Sequence, residues 1–554
     1  MKKLIYTAAF ILCIGLCVEG ATRSKKNSIS RNLDIFSSVF KEMQTFYVDS
    51  IDADKAVTTA INAMLSELDP YTVYMPRSEQ EDFKTMTTGE FGGIGSYIMQ
   101  RNGNVYISGP HKNTPAWNAG LRAGDLIVAI DGDTMLGKSH SYVSDRLKGT
   151  PGTKLKVQIK RPYVEDSILD IEMTRAKIKI PSVPYYGIER GDIGYIALNT
   201  YSESTGQEVR KAVTELTENK NVKAIVLDLR GNLGGLVESA VQVVGNFVPK
   251  GTKVLSTKGK GVLNEQVYKT TSAPVNTEIP LIVLIDAETA SAAEITAGAL
   301  QDLDRAVIIG NRSFGKGLVQ TTRELPYEGL LKVTVAKYYI PSGRLVQAID
   351  YSHRNPDGSV ARIPDSLTNV FTTAGGRTVR DGGGITPDLE VEYPSLSRLT
   401  YNIMSDYWAF DFANKFVATA KQAPSLEKFV ITDSVFNDFK HFIDPEKFEY
   451  DRVCETMLDR LRAVAKSEGY DEDSLKAQFD VLEGMFKRPL ERDLDRNRAT
   501  IEPILLREIM ERYYFDQGRI QVGLRTDAGL DSAATILNTP GRYRSLLTPA
   551  AKQK

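Results

Sequence analysis

Histidine is scarce in this chain: four residues, His111, His140, His353 and His441, among 554. None stands at metal-ligand spacing from another and there is no His/Cys cluster, which argues against a zinc site. The G-x-S-x-G turn that presents many serine nucleophiles is missing as well, so a histidine triad would have to assemble across the fold. Cysteine is also rare. Cys13 and Cys17 fall in the first twenty residues, leaving Cys454 alone and the rest of the chain without an internal disulfide. Its amphipathic surroundings predict Cys454 as a small buried apolar residue. Charge of one sign is lacking: 69 Lys and Arg against 70 Asp and Glu give a net charge of -1, with no basic excess to neutralise phosphates and hence no expected nucleic-acid partner.

Long apolar runs are confined to the start. Lys2 and Lys3 precede an apolar stretch from Leu4 to Cys17, and Gly20-Ala21 supplies small residues where a signal peptidase could cut. This reads as a secretory signal over residues 1–20, with an uncleaved N-terminal anchor as the other reading. Gly15-Leu16 before Cys17 is a poor match to a lipoprotein signal.

A length of 554 residues predicts three or four domains. Residues 28–85 form a helical N-terminal region, with Phe36, Phe40, Met43 and Tyr47, then Val57, Ile61, Met64, Leu65 and Leu68, at helical spacing until Asp69-Pro70. Residues 86–175 form a small β domain of short strands, including Val105–Ile107 and Leu155–Ile159, between Gly, Pro and Asp turns. Residues 176–395 alternate strands (Ile193–Leu198, Ala224–Leu229, Leu281–Ile285, Ala306–Ile309, Leu331–Tyr339) with helices (Gln207–Leu216, Gly235–Phe247, Ala292–Leu303), as in an α/β layered core. Residues 396–554 are helical. The stripes Val453, Met457, Leu461, Val464 and Leu475, Phe479, Leu482, Phe486 read as packing faces, and the stretch after Leu537 reads as loosely ordered. The fold class is thus multidomain α+β.

Three segments carry candidate chemistry. Gly310–Gly317 could be a phosphate loop, but Gly317 stands where Ser or Thr would hold magnesium and Leu318–Thr322 is extended rather than helical. It could be an S-x-x-K pair of Ser313 and Lys316, but two glycines oppose the helix which that motif opens. Or Lys316 serves as base for a serine elsewhere. Ser291 lies between the strand Leu281–Ile285 and the helix from Ala292, where unpaired N–H groups at the helix start can bind an oxyanion. Serine is equally a preferred N-cap. Asp228-Leu229-Arg230-Gly231-Asn232-Leu233-Gly234-Gly235 also joins a strand to a helix, and its glycines let backbone amides approach a substrate.

Together Thr289–Glu294, Gly315-Lys316-Gly317-x-x-Gln320 and the Asp228–Gly235 loop resemble the carboxyl-terminal processing peptidases, or tail-specific proteases of family S41. Gly92–Gly95, Pro115–Asp125 and Gly149–Thr153 resemble their PDZ module; Leu68–Tyr71 and Pro341–Arg344 fit as well. The resemblance spans roughly residues 30–395. It implies Ser291 as nucleophile, Lys316 as general base, Gln320 orienting the lysine, backbone N–H groups of Ala292 and of Gly234 or Gly235 as the oxyanion hole, and Asp302 as a candidate support that could equally be a helix-end surface residue. It implies no metal or cofactor, and a periplasmic location.

On this reading the PDZ module selects substrates by their tails. Gly93, Ile94, Gly95 and Ser96 would hold a C-terminal carboxylate, the strand Tyr97-Ile98-Met99 would pair with the tail, and Val143 and Leu147 would line its pocket or belong to the domain core. Expected partners are proteins or peptides with accessible C-termini, with an adaptor or self-association through the C-terminal helices. The rival reading is a non-catalytic periplasmic scaffold that captures tails without cutting them.

Overall fold

The run Leu281–Ile285 has no polar alternation, the pattern of a strand covered on both faces. The structure is a computed structural model describing residues 28–549 apart from 165–167, 221, 261–264, 356, 421, 451, 471 and 487–488. In it this run lies within a six-stranded sheet, ordered Tyr185–Glu189, Ile193–Ala197, Ala224–Asp228, Leu281–Ile285, Val307–Gly310 and Leu389–Glu390. The first pair is antiparallel and every later pair parallel. Leu281, Val283 and Ile285 face the helices Thr205–Thr214, Val237–Val244 and Ala292–Asp302, whereas Ile282 and Leu284 face the opposite way. There they meet Leu530, Ala533 and Ile536 of the C-terminal helix Ala528–Asn538. The helical C-terminal region therefore supplies the second cover of the sheet.

The chain divides into two compact units. One comprises the described residues up to Arg77 together with Gln320–Thr334; the other is Ser78–Val319 with the chain from Val335 onwards. In the first, a helix over 28–46 precedes the helix Ala53–Ser66, whose N-cap Asp52 accepts from the Lys55 N–H at 3.0 Å. The Asp69 carboxylate then accepts from the N–H groups of Tyr71 and Thr72, both at 2.8 Å, and turns the chain into a strand, Val73–Met75. That strand pairs antiparallel with Leu330–Lys332. The region expected to be helical throughout thus contains a strand, because its partner lies far along the sequence.

In the second unit the small β domain is a sheet ordered Ser96–Arg101, Asn104–Pro110, Leu126–Ile130, Lys154–Lys160 and Ile168–Thr174, with the helix His140–Leu147 packed on it. The edge strand Ser96–Arg101 is the one expected to receive a substrate tail. The C-terminal helices Arg398–Ser405, Trp408–Thr419, Asp433–Phe442 and Arg498–Leu524 share a core that includes Phe412, Phe436, Phe439, Ile501 and Leu505.

Three expectations for this region are overturned. Val453, Met457, Leu461 and Val464 are exposed, Met457 by 64%, while Leu458 is the buried residue of its helix; Leu482 is exposed as well, and Cys454 lies at the surface. Helical periodicity groups side chains on one face but does not say where that face points. Nor is the stretch after Leu537 loose: Arg542–Leu546 is helical, and the Tyr543 hydroxyl accepts from the Leu281 N–H at 3.0 Å. Among the described residues no helix is long and apolar enough to cross a membrane, and the leader reading of residues 1–20 lies outside the described residues.

The burial pattern predicts a contrast in urea unfolding. Phe439→Ala should cost about 3–5 kcal/mol, whereas Met457→Ala, on the exposed stripe, should stay within about 0.5 kcal/mol of the parent.

Candidate active site

The sheet delivers three loops to one end, because parallel strands present their carboxyl ends together. Strand Ala224–Asp228 leads to the glycine loop, Leu281–Ile285 to Ser291, and Val307–Gly310 to Lys316. Ser291 immediately precedes the helix Ala292–Asp302 with φ 55° and ψ -116°, a conformation that L residues seldom adopt and that costs about 1–3 kcal/mol. It is a sharp strand-to-helix elbow with Thr289 and Ala293 at the positions where G-x-S-x-G has glycine.

Glu294 holds that elbow. It stands three residues after Ser291, the spacing of a capping box, and its carboxylate accepts from the Ser291 N–H at 2.9 Å. The same carboxylate accepts from the Gly315 N–H at 2.7 Å, the Lys316 N–H at 2.8 Å and the Ser313 hydroxyl. Glu294 is fully buried; burial pushes its carboxyl above the ordinary range, while its four donors pull it back. Tyr338 makes a second link, its hydroxyl lying 2.7 Å from the Lys316 carbonyl and 3.2 Å from the Ser291 carbonyl. Neither the phosphate-loop nor the S-x-x-K reading fits this arrangement. Leu318–Glu324 is a strand, and the Ser313 hydroxyl is committed to Glu294.

The glycine loop packs against the elbow. At Gly234, with φ +94°, a Cβ would come within 2.8 Å of the Ser291 Cβ, the Ala290 carbonyl oxygen and the Ala292 nitrogen. Asn232 ties the two loops together, its carbonyl accepting from the Ala290 N–H at 2.9 Å. Its side-chain oxygen accepts from the Gly234 N–H at 2.8 Å. The amide of Gly234 is therefore committed, which narrows the expected oxyanion donors to Ala292 and Gly235. The Ser291 carbonyl accepts from the Ile295 N–H at 2.9 Å, inside the helix. Across the trans peptide the Ala292 N–H points the opposite way, out of the helix start.

Asp302 ends the same helix, eleven residues beyond Ser291 or about 16 Å at helical rise. It is buried and not at the surface, accepting from Arg344 at 2.9–3.0 Å and from the Ser342 N–H at 2.9 Å. Its occupation is an ion pair away from the elbow. Gln320 donates to the Thr334 hydroxyl at 3.1 Å within its own unit.

In the β domain, carbonyls of Ile94 and Gly95 accept from the Ala116 and His111 N–H groups at 2.8 and 2.9 Å, which turns the amides of Gly95 and Ser96 the other way. Gly95, with φ +74°, admits no side chain, since a Cβ would lie 2.5 Å from Thr114. Val143 and Leu147 are buried in the domain core, facing Ile94, Ile107 and Ile159 rather than lining an open groove. His140, at the start of their helix, places its ring 3.4 Å from the Ile98 carbonyl of the edge strand.

Glu294 and Tyr338 are absent from the residues singled out in the sequence for chemistry. The S-x-x-E spacing was a legible signal for Glu294; Tyr338 reaches the site through long-range strand pairing and carried none.

Comparison with known proteins agrees with this architecture. Family profiles match peptidase family S41 over residues 192–354, a PDZ domain over 106–161, the probable PDZ-protease C-terminal helical domain over 399–537, and the activating protease CtpB N-terminal domain over 17–79. A carboxy-terminal-processing protease of Bartonella bacilliformis is 36% identical over 385 residues, covering 68% of this chain and 87% of that protein. A probable CtpA-like serine protease of Staphylococcus haemolyticus is 30% identical over 407 residues, 73% of this chain and 79% of its own. Among solved structures, a photosystem II D1 C-terminal processing protease aligns with 64% of this chain and 92% of its own at 26% identity and a TM-score of 0.35. The chain belongs to the C-terminal processing serine proteases of peptidase family S41, and it carries a PDZ domain.

Glu294→Gln tests the clamp. An amide must set its NH2 against at least one of four donors, so a melting temperature lowered by several degrees is expected. Peptidase kcat should fall by about tenfold or more as Ser291 and Lys316 lose their common anchor.

Proposed function

We propose that this chain is an exported endopeptidase in which Ser291 attacks the peptide carbonyl and Lys316 takes the serine proton. The observation that carries this reading is the single buried carboxylate of Glu294, which accepts backbone N–H groups from both residues and so fixes one relative to the other. A lysine base acts only as the free amine, and it returns the proton to the leaving amine as the acyl-enzyme forms. Water then attacks the ester; Lys316 takes its proton and passes it to the Ser291 oxygen as the acyl bond breaks, which releases the carboxyl product and regenerates Ser291. The Ala292 and Gly235 amides are the proposed donors to the oxyanion, at the positive end of the helix. Gln320 keeps the role of orienting the lysine amine on the strength of the sequence motif alone. Export rests on the sequence of residues 1–20.

Substrate choice falls to the PDZ domain. The amides of Gly95 and Ser96 hold the terminal carboxylate and the edge strand Ser96–Arg101 takes the tail by β-addition, so the substrates are proteins and peptides with accessible C-termini.

Ser291→Ala and Lys316→Ala, each assayed on an unfolded protein with an apolar C-terminus, should lose about 10³-fold or more in kcat. Full cleavage by either purified variant would refute the assignment, and tail binding without any turnover by the parent chain would favour a scaffold instead. Amidating the substrate's C-terminal carboxylate should raise KM by about tenfold while kcat changes little, since the lost contact lies away from the reacting bond.

A further inference from the structure

We infer that Asp527, in the C-terminal helical domain, is a positioning residue for the oxyanion loop, so that the peptidase site is completed by an element outside the peptidase core. The inference rests on the proposed roles of Ser291 and the Asp228–Gly235 loop.

That loop has little stiffness of its own: Gly231, Gly234 and Gly235 all have positive φ, a region that imposes no preference on glycine. Its shape depends on anchors. Gly231 donates to the Asp286 carboxylate at 3.0 Å, and Asn232 joins the loop to Ala290. At its start, the Arg230 guanidinium is held on two edges. Asp228 takes one, with contacts from 2.5 to 3.1 Å, and Asp527 takes the other, at 2.8 and 3.2 Å. All three side chains are largely buried, and Tyr393 lies against the same guanidinium. A planar fork gripped on one edge can still pivot; gripped on both it fixes the direction in which the chain leaves Arg230 toward Gly234.

Asp527 is itself anchored. Its carboxylate caps the helix Ala528–Asn538, accepting from the Leu530 N–H at 2.8 Å, and Leu530, Ala533 and Ile536 seat that helix on the sheet. The approach is close: a Cβ on Gly529 would lie 3.2 Å from Arg230 Nη1 and 2.8 Å from the Tyr393 hydroxyl.

Asp527→Asn separates capping from positioning, because asparagine caps a helix as well as aspartate but offers Arg230 no charge. Asp531→Asn on the same helix is the control, since Asp531 pairs with Arg190 at 2.7 Å and touches nothing in the loop. Both are made in the full chain and measured with a fluorogenic peptide, by melting temperature, and by the rate at which a fluorophosphonate labels Ser291, a reaction that needs the oxyanion donors. In Asp527→Asn, kcat and the labelling rate should both fall by about tenfold. KM should stay near the parent value, the melting temperature should fall by a few degrees at most because Asp228 still pairs with Arg230, and Asp531→Asn should leave kcat unchanged. Parent-level kcat in Asp527→Asn, or an equal fall in Asp531→Asn, would overturn the inference. Full activity in Ser291→Ala would instead bring down the reading on which it rests.

Discussion

A buried carboxylate is tolerated only if donors surround it, and the active end of this protein is arranged around one such group. Glu294 takes its donors from two loops that leave different strands: Ser291 at the end of one, and Ser313, Gly315 and Lys316 beyond the other. The carboxylate needs these groups as much as they need it. Loss of a donor would leave a buried charge short of a hydrogen bond, so the geometry of both loops is enforced by the cost of leaving it. That enforcement is what holds Ser291 in its unfavourable backbone conformation. The glycine loop then closes against it from a third strand, at a spacing too tight for any side chain on Gly234.

The scaffold behind these loops is a mostly parallel sheet that needs cover on two faces. Helices of the peptidase core cover one. The other is covered by helix Ala528–Asn538 and by Leu524, residues remote in sequence from the strands they meet. A helical extension that would otherwise seem separate from the chemistry is thus part of the same core, and Arg190 and Arg230 tie it down at the rim through Asp531 and Asp527.

Much of the site was legible in the sequence for physical reasons that can be named. Leu281–Ile285 is so uniformly apolar that it had to be a buried strand, and Ser291 followed it at a helix start. Gly315 and Gly317 ruled out a helix at Lys316. What escaped was whatever depended on orientation or on distant partners. Asp302 matched an expected position, yet one end of a helix cannot serve the other, and its carboxylate belongs to Arg344. Gly234 and Gly235 were indistinguishable until Asn232 was found to occupy the first amide. The Val453–Val464 stripe had correct periodicity but pointed to solvent, and Val73–Met75 was hidden inside a helical region because its partner strand lies beyond residue 329.

The late position of the covering helix has a consequence for the order of assembly. A chain made from its N-terminus presents the strands first, and Val226, Ile282, Leu284 and Ile309 then have one apolar face bare until residues 528–536 arrive. Folding of the sheet, and with it the loops at its active end, is therefore completed only by residues that follow every one of its strands in the chain.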